Sequence, residues 1–249
     1  MFVAPERKRS SVGGTGIQYL PGHVDKFIDL VVDTYLPCVG SVVDLGGGGL
    51  RFAVPAALEG RAVSVVDLDK DGLDIGLIVG HLARNGTSSL EIQTLSDKIS
   101  TYHQNVFEFL QSTDDCYDLI TAFRLLHFFS GQEVARFLEL ANQRLSRNGL
   151  LAFSAMSLFN LPLSDEFNEI YLHSESVAAS DPYFRRFRDD SVADGLRADQ
   201  NLPERFRCFG TASVCELAKE YKFDMILGGF PATKIIAGYV LKKVQRDPA

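Results

Sequence analysis

Four cysteines, Cys38, Cys116, Cys208 and Cys215, form no Cys-x-x-Cys pair and show no spacing suited to zinc, so neither a metal module nor a disulfide framework is expected. Reduced thiols in a cytoplasmic protein are the expectation they leave, and no metal site is expected. Basic residues are also short: 25 Lys and Arg stand against 32 Asp and Glu, a net charge of −7. A nucleic-acid surface normally shows a basic excess, so the balance does not favour RNA or DNA as a partner, although an acidic protein can still carry a local basic groove. Long apolar runs are missing too. The longest uncharged stretch, Asn148 to Ser164, contains two asparagines, three serines and a proline, which reads as a strand leading into a loop and not as a membrane span. The first residues, MFVAPERKRSS, place charges where a signal peptide needs an apolar segment. No internal repeat and no low-complexity tract is evident.

What is there is alternation. Residues 1–20 are polar and rich in Gly and Ser, and are expected to be a flexible segment. Between Pro21 and Pro37, apolar residues at Val24, Phe27, Ile28, Val31, Val32 and Tyr35 have helical spacing. A β-branched run, SVVDL (41–45), then meets four glycines. A helix over Arg51–Leu58, a second strand AVSVVDLD (62–69) and a helix through Leu73, Leu77, Ile78 and Leu82 follow. A third strand is expected near 99–104, a short helix over Val106–Leu110 and a fourth strand at YDLITAF (117–123). A helix over Gln132–Leu145 then turns at Asn148-Gly149 into a fifth strand, LLAFSAM (150–156). Strands and helices at this pitch predict an α/β, doubly wound, mostly parallel sheet covered on both faces. The pattern breaks over 157–208, read as a cap insertion after the fifth strand of a single domain (1–249). It resumes with a helix over Thr211–Tyr221 and two closing strands near enough for an antiparallel edge.

The residues that carry chemistry cluster at strand ends. Asp44 closes the first strand and is followed by Gly46, Gly47, Gly48 and Gly49, where a ligand can approach the backbone and N–H groups near the next helix can hold an anionic end. Asp67, 21 residues beyond Gly46, lies at the tip of the second strand, where a carboxylate can accept both hydroxyls of a ribose. A nicotinamide dinucleotide site would use similar geometry, but the GxGxxG pattern fails. Counting from Gly46 the third glycine position is Arg51, and from Gly47 it is Phe52. A carboxylate at Asp44 would also repel a pyrophosphate, whereas a cofactor bearing an ammonium and a sulfonium tolerates it.

These segments resemble the class I, Rossmann-like, S-adenosylmethionine-dependent methyltransferases, notably the small-molecule group. VVDLGGGG is similar to that family's first motif, hhDxGxG, with Asp44, Gly46 and Gly48 on the signature positions. SVVDLD resembles the acidic second motif, which implies Asp67 on the ribose and Leu68 against adenine. HQNVFEF resembles the GDxF segment, with Asn105 in the position of the aspartate that usually meets the adenine amine and Val106 after it. YDLITAFRLLHFF resembles FDxhhxxxVLHHh, and NQRLSRNGLLAFS resembles LxPGGxLhh. The likeness runs from about 41 to 155 and returns over 211–243. It implies a seven-stranded sheet, S-adenosylmethionine as cofactor, and a cofactor set that includes Gly47, Phe123 and Arg124. Three departures stand out: Asn105 replaces an acid, Arg147-Asn148-Gly149 replaces Pro-Gly-Gly, and the histidine pair is reduced to His127 with Phe128 after it.

Other readings of these residues stay open on sequence grounds. Asp67 also fits a helix cap and Asn105 a turn. Arg124 fits a contact to cofactor or acceptor and equally a pair with an acid. His127 is placed to act as a base near the methyl group, yet among Leu125, Leu126, Phe128 and Phe129 a structural histidine is the commoner outcome. Between 181 and 207, six arginines (Arg185, Arg186, Arg188, Arg197, Arg205, Arg207) face six acids, which reads as an ion-paired surface or as a lid with an arginine gripping a carboxylate or phosphate. Methylation of O, N or C of a small metabolite is the leading expectation. The alternatives are an RNA or protein methyltransferase and a cofactor-binding protein of the same fold without methyl transfer.

Overall fold

The computed structural model describes residues 26–76, 93, 95, 97–157, 184–186, 205–207, 209–232 and 236–244. The N-terminal segment 1–20, and Leu77, Ile78 and Leu82 of the helix expected after the second strand, lie outside the described residues. Of that helix, the structure describes a 3-10 turn at Asp71–Leu73 and helical Ile75 and Gly76.

One sheet of seven strands organises the chain. The strands are β1 (Ser41–Leu45), β2 (Ala62–Asp67), β3 (Ile99–His103), β4 (Tyr117–Phe123), β5 (Leu145–Met156), β8 (Phe223–Pro231) and β9 (Ile236–Lys243). Their spatial order is β3-β2-β1-β4-β5-β9-β8. The first five run parallel, and β9 enters antiparallel between β5 and β8. The chain builds outward from β1 through β2 to β3, then crosses back to lay β4 on the other side of β1. Strand order reverses there, and the carboxyl ends of β1 and β4 border the crevice where ligands of such sheets sit.

Alternation along the strands separates two cores. Val42 and Leu119 point to one face, with Phe27 and Val31 of α1 (Lys26–Thr34) and Phe52 and Ala53 beside or in α2 (Ala53–Leu58). Val43, Leu45 and Ile120 point to the other. There they meet Phe107 of α3 (Val106–Ser112), Phe137 and Leu138 of α4 (Gly131–Arg144) and Val214 of α5 (Thr211–Glu220). The β-branched runs that read as buried strands are buried because helices cover both faces. α4 begins at a capping box: Ser130 Oγ accepts from Glu133 N at 3.3 Å, and Ser130 N donates to Glu133 Oε2 at 2.8 Å.

Among the boundaries that differ from the sequence reading, two have a clear local cause. The second helix starts at Ala53, not Arg51, because Leu50 takes a left-handed φ of 54° and closes a turn onto Gly47 O. The fifth strand begins at Leu145, not Leu150. The Asn148-Gly149 turn is absorbed as an irregularity inside it: Tyr117 pairs with Leu145 and Leu119 already with Leu150, with Asn148 at φ 64°. At the amino ends of β1, β4 and β5, Asp118 accepts from Gly40 N (2.9 Å), Ser41 N (3.1 Å) and Ser146 Oγ (2.5 Å). Those bonds, Ser146 first, hold its carboxyl below the usual range. These bonds tie together the amino ends of the three central strands, opposite the end that borders the crevice.

The insertion expected over 157–208 has a defined neck. Ser157 bridges to Phe209, and Phe209 N donates to Met156 O at 2.8 Å, so the chain leaves and rejoins the body at the carboxyl end of β5. Phe209 is buried, sits edge-on to Phe153 and accepts from Tyr239 Oη at 3.1 Å. Between the ends of that neck the structure describes a two-stranded antiparallel ribbon, β6 (Phe184–Arg186) with β7 (Arg205–Arg207). The rest of the segment lies outside the described residues.

Candidate functional site

Asp44 shares its side of β1 with Val42, the side covered by α1 and α2, and is only 2% exposed. A carboxylate there needs a donor. Thr121, next to it in register on β4 and fully buried, donates its hydroxyl to Asp44 Oδ1 at 2.7 Å. Burial dominates even so: it pushes the Asp44 carboxyl up to about 7, opposed by the Thr121 bond and reinforced by the negative charge of Asp67.

Asp67 stands across the glycine turn from Asp44. Its Oδ2 accepts from Gly48 N at 2.7 Å and its Oδ1 from Asp69 N at 2.7 Å. The carboxylate therefore spans from the end of β2 to the glycine turn and also caps its own following turn. A carboxylate oxygen can accept more than one hydrogen bond, and two vicinal hydroxyls suit the pair of oxygens. At its first three glycines the turn has no space for side chains. A Cβ on Gly48 would lie 2.7 Å from Asp67 Oδ2, and one on Gly47 would collide with the Asp44 carboxylate. Gly46 has φ 71° and would press its Cβ on Leu125.

The sequence reading expected free N–H groups here to hold an anionic end. Most are committed: Gly46 N donates to Val66 O (2.7 Å), Gly48 N to Asp67 and Gly49 N to Gly72 O (3.0 Å). The turn is thus a rigid wall closely flanked by two carboxylates, and it favours a cation more than an anion.

Leu68, just after Asp67, is 55% exposed, unusual for so large an apolar side chain beside buried strands. Its carbonyl meets His103 Nε2 at 3.0 Å, which fixes the turn. Asn105 caps α3, its Oδ1 accepting from Phe107 N at 2.8 Å. The helix thereby takes up its oxygen, and its NH2 is the group left to donate to a base. Val106 is buried behind it.

Phe123 ends β4 and Arg124 follows it. Phe123 is a core side chain, packed at 5.8 Å on Phe27 and 5.4 Å on Phe52. Arg124 takes a left-handed φ of 57°, held by its N–H donating to Ser154 O at 2.8 Å and to Ser154 Oγ at 3.2 Å. Such a conformation costs about 1 kcal/mol or more and persists only where neighbours impose it. His127 lies in the 3-10 turn that follows, Leu126–Phe128. It is fully buried, its ring 4.1 Å from that of Phe128, and neither ring nitrogen has a partner among the described residues. Burial first, and the charge of Arg124 second, push its pKa down to about 3. In this arrangement the imidazole is neutral and shielded, and it is a weak base.

The structure therefore brings Asp44, Gly46, Gly47, Gly48 and Asp67 into one cradle. Leu68 and Asn105 follow the adjoining strand ends, and Arg124 and His127 lie past the end of β4. Sequence reasoning missed Thr121 and Ser154. The signal was available: each is a polar residue inside an apolar run, LITAF and LLAFS, and a buried hydroxyl must find a partner.

No protein-family model matches this chain, and no curated protein matches its sequence. Its architecture has many likenesses. A SAM-dependent methyltransferase from Methanosarcina mazei superposes with TM-score 0.61 at 13% identity, over 87% of this chain and 98% of its own. The fold is that of the class I methyltransferases. A magnesium protoporphyrin IX methyltransferase from Synechocystis PCC 6803, solved with SAM bound, gives TM-score 0.53 at 14% identity over 88% of this chain and 79% of its own. An O-methyltransferase family protein from Burkholderia thailandensis gives 0.57 at 12% identity over 89% of this chain, which spans 56% of that protein's length. At such identities the likeness fixes the class I methyltransferase fold, with its seven strands and terminal antiparallel pair. No helix among the described residues is long and apolar enough to cross a membrane.

Proposed function

We propose that the protein binds S-adenosylmethionine and transfers its methyl group to O, N or C of a small-molecule acceptor. The observation that carries this reading is the pair of carboxylates, Asp44 and Asp67, flanking a side-chain-free turn at the switch point between β1 and β4. The residues fit the cofactor. Asp44, beneath the turn, is a poor place for an isolated anion and a good one for an ammonium group. Asp67 offers two acceptor oxygens to the ribose, exposed Leu68 supports the adenine, and the Asn105 amide with the backbone of Val106 reads its edge. The structural neighbours from Methanosarcina and Synechocystis, named for SAM-dependent and magnesium protoporphyrin methylation, support the same cofactor and a small acceptor.

When bound, the cofactor supplies a methyl group on a positively charged sulfur that is already an activated leaving group. The chain then has to align the acceptor, exclude water and leave the nucleophile deprotonated. Gly46–Gly48 and the Arg124 turn, both rigid and left-handed in part, set the position of the methyl donor. His127 is assigned to the acceptor end as a neutral hydrogen-bonding group, and with its pKa pushed down to about 3 it is uncharged at neutral pH. Residues 157–208, hung from the neck at Met156 and Phe209, are assigned as a cap over the acceptor within a single domain. Free thiols at exposed Cys38 and Cys116 suit a reducing cytoplasm.

The test is to incubate the protein with methyl-labelled S-adenosylmethionine and a cell extract, then separate small molecules from protein and RNA. Label in the small-molecule fraction is the expected result. Label confined to RNA or protein would replace the acceptor assignment.

A further inference from the structure

Thr121 stands between Ile120 and Ala122 in the middle of β4, fully buried, where a valine would fill nearly the same shape without a polar atom. A buried hydroxyl has to find a partner, and this one has two within reach. Thr121 Oγ1 lies 2.7 Å from Asp44 Oδ1 and 3.3 Å from Val43 O on the same strand, β1. A hydroxyl carries one proton, so it donates to only one of them at a time.

The two acceptors match the two protonation states of Asp44. With the carboxylate ionised, the hydroxyl donates to Oδ1, and 2.7 Å is an ordinary length for that bond. With the carboxyl protonated, Asp44 donates across the same contact to Thr121 Oγ1, and the threonine proton turns to Val43 O. Neither state leaves this buried hydroxyl without a partner, and no heavy atom has to move. The other carboxylate oxygen, Oδ2, faces the glycine turn, where a Cβ on Gly47 would collide with it. Asp44 is thus held from behind at one oxygen and presented at the other.

The elements packed on this side of β1 meet it with apolar side chains. α2 contains no ionisable residue, and α1 turns Phe27, Ile28 and Val31 inward while its Lys26, Asp29 and Asp33 are exposed. The charge that acts on Asp44 is that of Asp67 at the end of β2, a second anion. A carboxyl so placed keeps its proton until a cation arrives, and burial pushes it up to about 7 even with the Thr121 bond in place.

We propose that Thr121 is a positioning residue for the cofactor: its hydroxyl turns from Val43 O onto Asp44 Oδ1 as the ligand's ammonium arrives, holds the carboxylate ionised beneath the glycine turn, and lets binding expel one proton. That proton passes from Asp44 to solvent, and the threonine keeps its own. The inference rests on the S-adenosylmethionine reading and deepens it, since it says how a buried acidic site takes up a cation.

S-adenosylhomocysteine carries the same ammonium and is the probe. Calorimetric titrations of the full-length chain in two buffers of different ionisation enthalpy count the protons released. Wild type should release about nine-tenths of a proton at pH 6 and about a tenth at pH 8, the protonated fractions of a group held at about 7. Thr121→Val keeps the shape and loses the donor. Its affinity should lie roughly tenfold or more below wild type at pH 6, and the deficit should shrink to about twofold or less at pH 9, where the carboxylate ionises unaided. Thr121→Ser keeps the hydroxyl and should follow the wild-type profile. Thr121→Ala also lacks the hydroxyl, should repeat the valine result, and serves if the valine variant does not fold. Without ligand, Thr121→Val should go on losing stability from pH 7 to pH 9, where the wild-type curve has levelled off, because its Asp44 titrates later. An equal loss of affinity at every pH, a serine variant as weak as the valine one, or no proton release by wild type at pH 6 would each overturn the proposal. No S-adenosylhomocysteine binding at pH 8, with the unfolding of Thr121→Val still shifted, would overturn the cofactor reading and leave the hold of Thr121 on Asp44 standing.

Discussion

Asp67→Ala is expected to weaken S-adenosylhomocysteine binding at least tenfold while the protein stays folded. Two hydrogen bonds from the ribose to a carboxylate are lost, each of about 1.5–3 kcal/mol, and even half of that exceeds the 1.4 kcal/mol of a tenfold change. The geometry adds a second contribution. Asp67 also ties down Gly48 N and Asp69 N, so the alanine variant loosens the turn that the cofactor lies against. Two part-buried N–H groups left without a partner should lower stability by about 1–3 kcal/mol, visible as an earlier thermal midpoint. Asp67→Asn keeps one acceptor oxygen and should fall between the two. Calorimetric titration checks the affinity and thermal unfolding the fold. Unchanged affinity in a folded Asp67→Ala would reduce Asp67 to the cap of its own turn.

Asp44→Asn is expected to make the protein more stable above neutral pH and almost unable to bind the cofactor. A carboxyl whose folded pKa is raised contributes its full stability only below its unfolded pKa. As pH rises from about 3.8 towards 7 the unfolded chain releases this proton first, so the wild-type fold loses stability across that window and then levels off. Held at about 7 in place of 3.8, the group costs the fold about 4 kcal/mol at pH 8, taking about 1.36 kcal/mol for each pKa unit. The asparagine variant lacks that slope, and Thr121 can still donate to its side-chain oxygen. The ligand's ammonium needs the ionised carboxylate, so wild-type affinity should fall roughly tenfold from pH 8 to pH 6 as Asp44 takes up its proton. Asp44→Asn should show weak binding without that pH dependence. Unfolding curves and titrations at pH 5, 6, 7 and 8 test both arms. A variant less stable than wild type at pH 8 would mean that Asp44 is paired more strongly than its Thr121 bond alone provides.

Most of the sheet was legible in the sequence because its strands are buried on both faces. Runs such as SVVDL and YDLITAF are apolar at most consecutive positions, as strands of a parallel sheet between two helical layers are. The Asp44 to Gly49 cradle was legible for a related reason, since a charged residue inside such a run followed by glycines has few structural uses. β5 was read five residues short, because Asn148-Gly149 signals a turn locally and only the pairing with β4 shows that the strand runs through it. Thr121 and Ser154 were passed over because their importance lies in partners 77 and 30 residues away in sequence, Asp44 and Arg124. His127 was legible as a candidate but not as a neutral one, since its pKa follows from complete burial beside Arg124. Three-residue strands have no readable period. The short ribbon therefore emerged only from the register of β6 on β7.

The central claim is that this Rossmann-like crevice is built for a cationic sulfonium nucleoside and not for a dinucleotide. It is tested most directly by calorimetric titration of the full-length chain with S-adenosylhomocysteine and, separately, with NAD. The two carboxylates beside the glycine turn, and the turn's internally bonded N–H groups, predict that S-adenosylhomocysteine binds and NAD does not. NAD binding more tightly than S-adenosylhomocysteine would contradict the account.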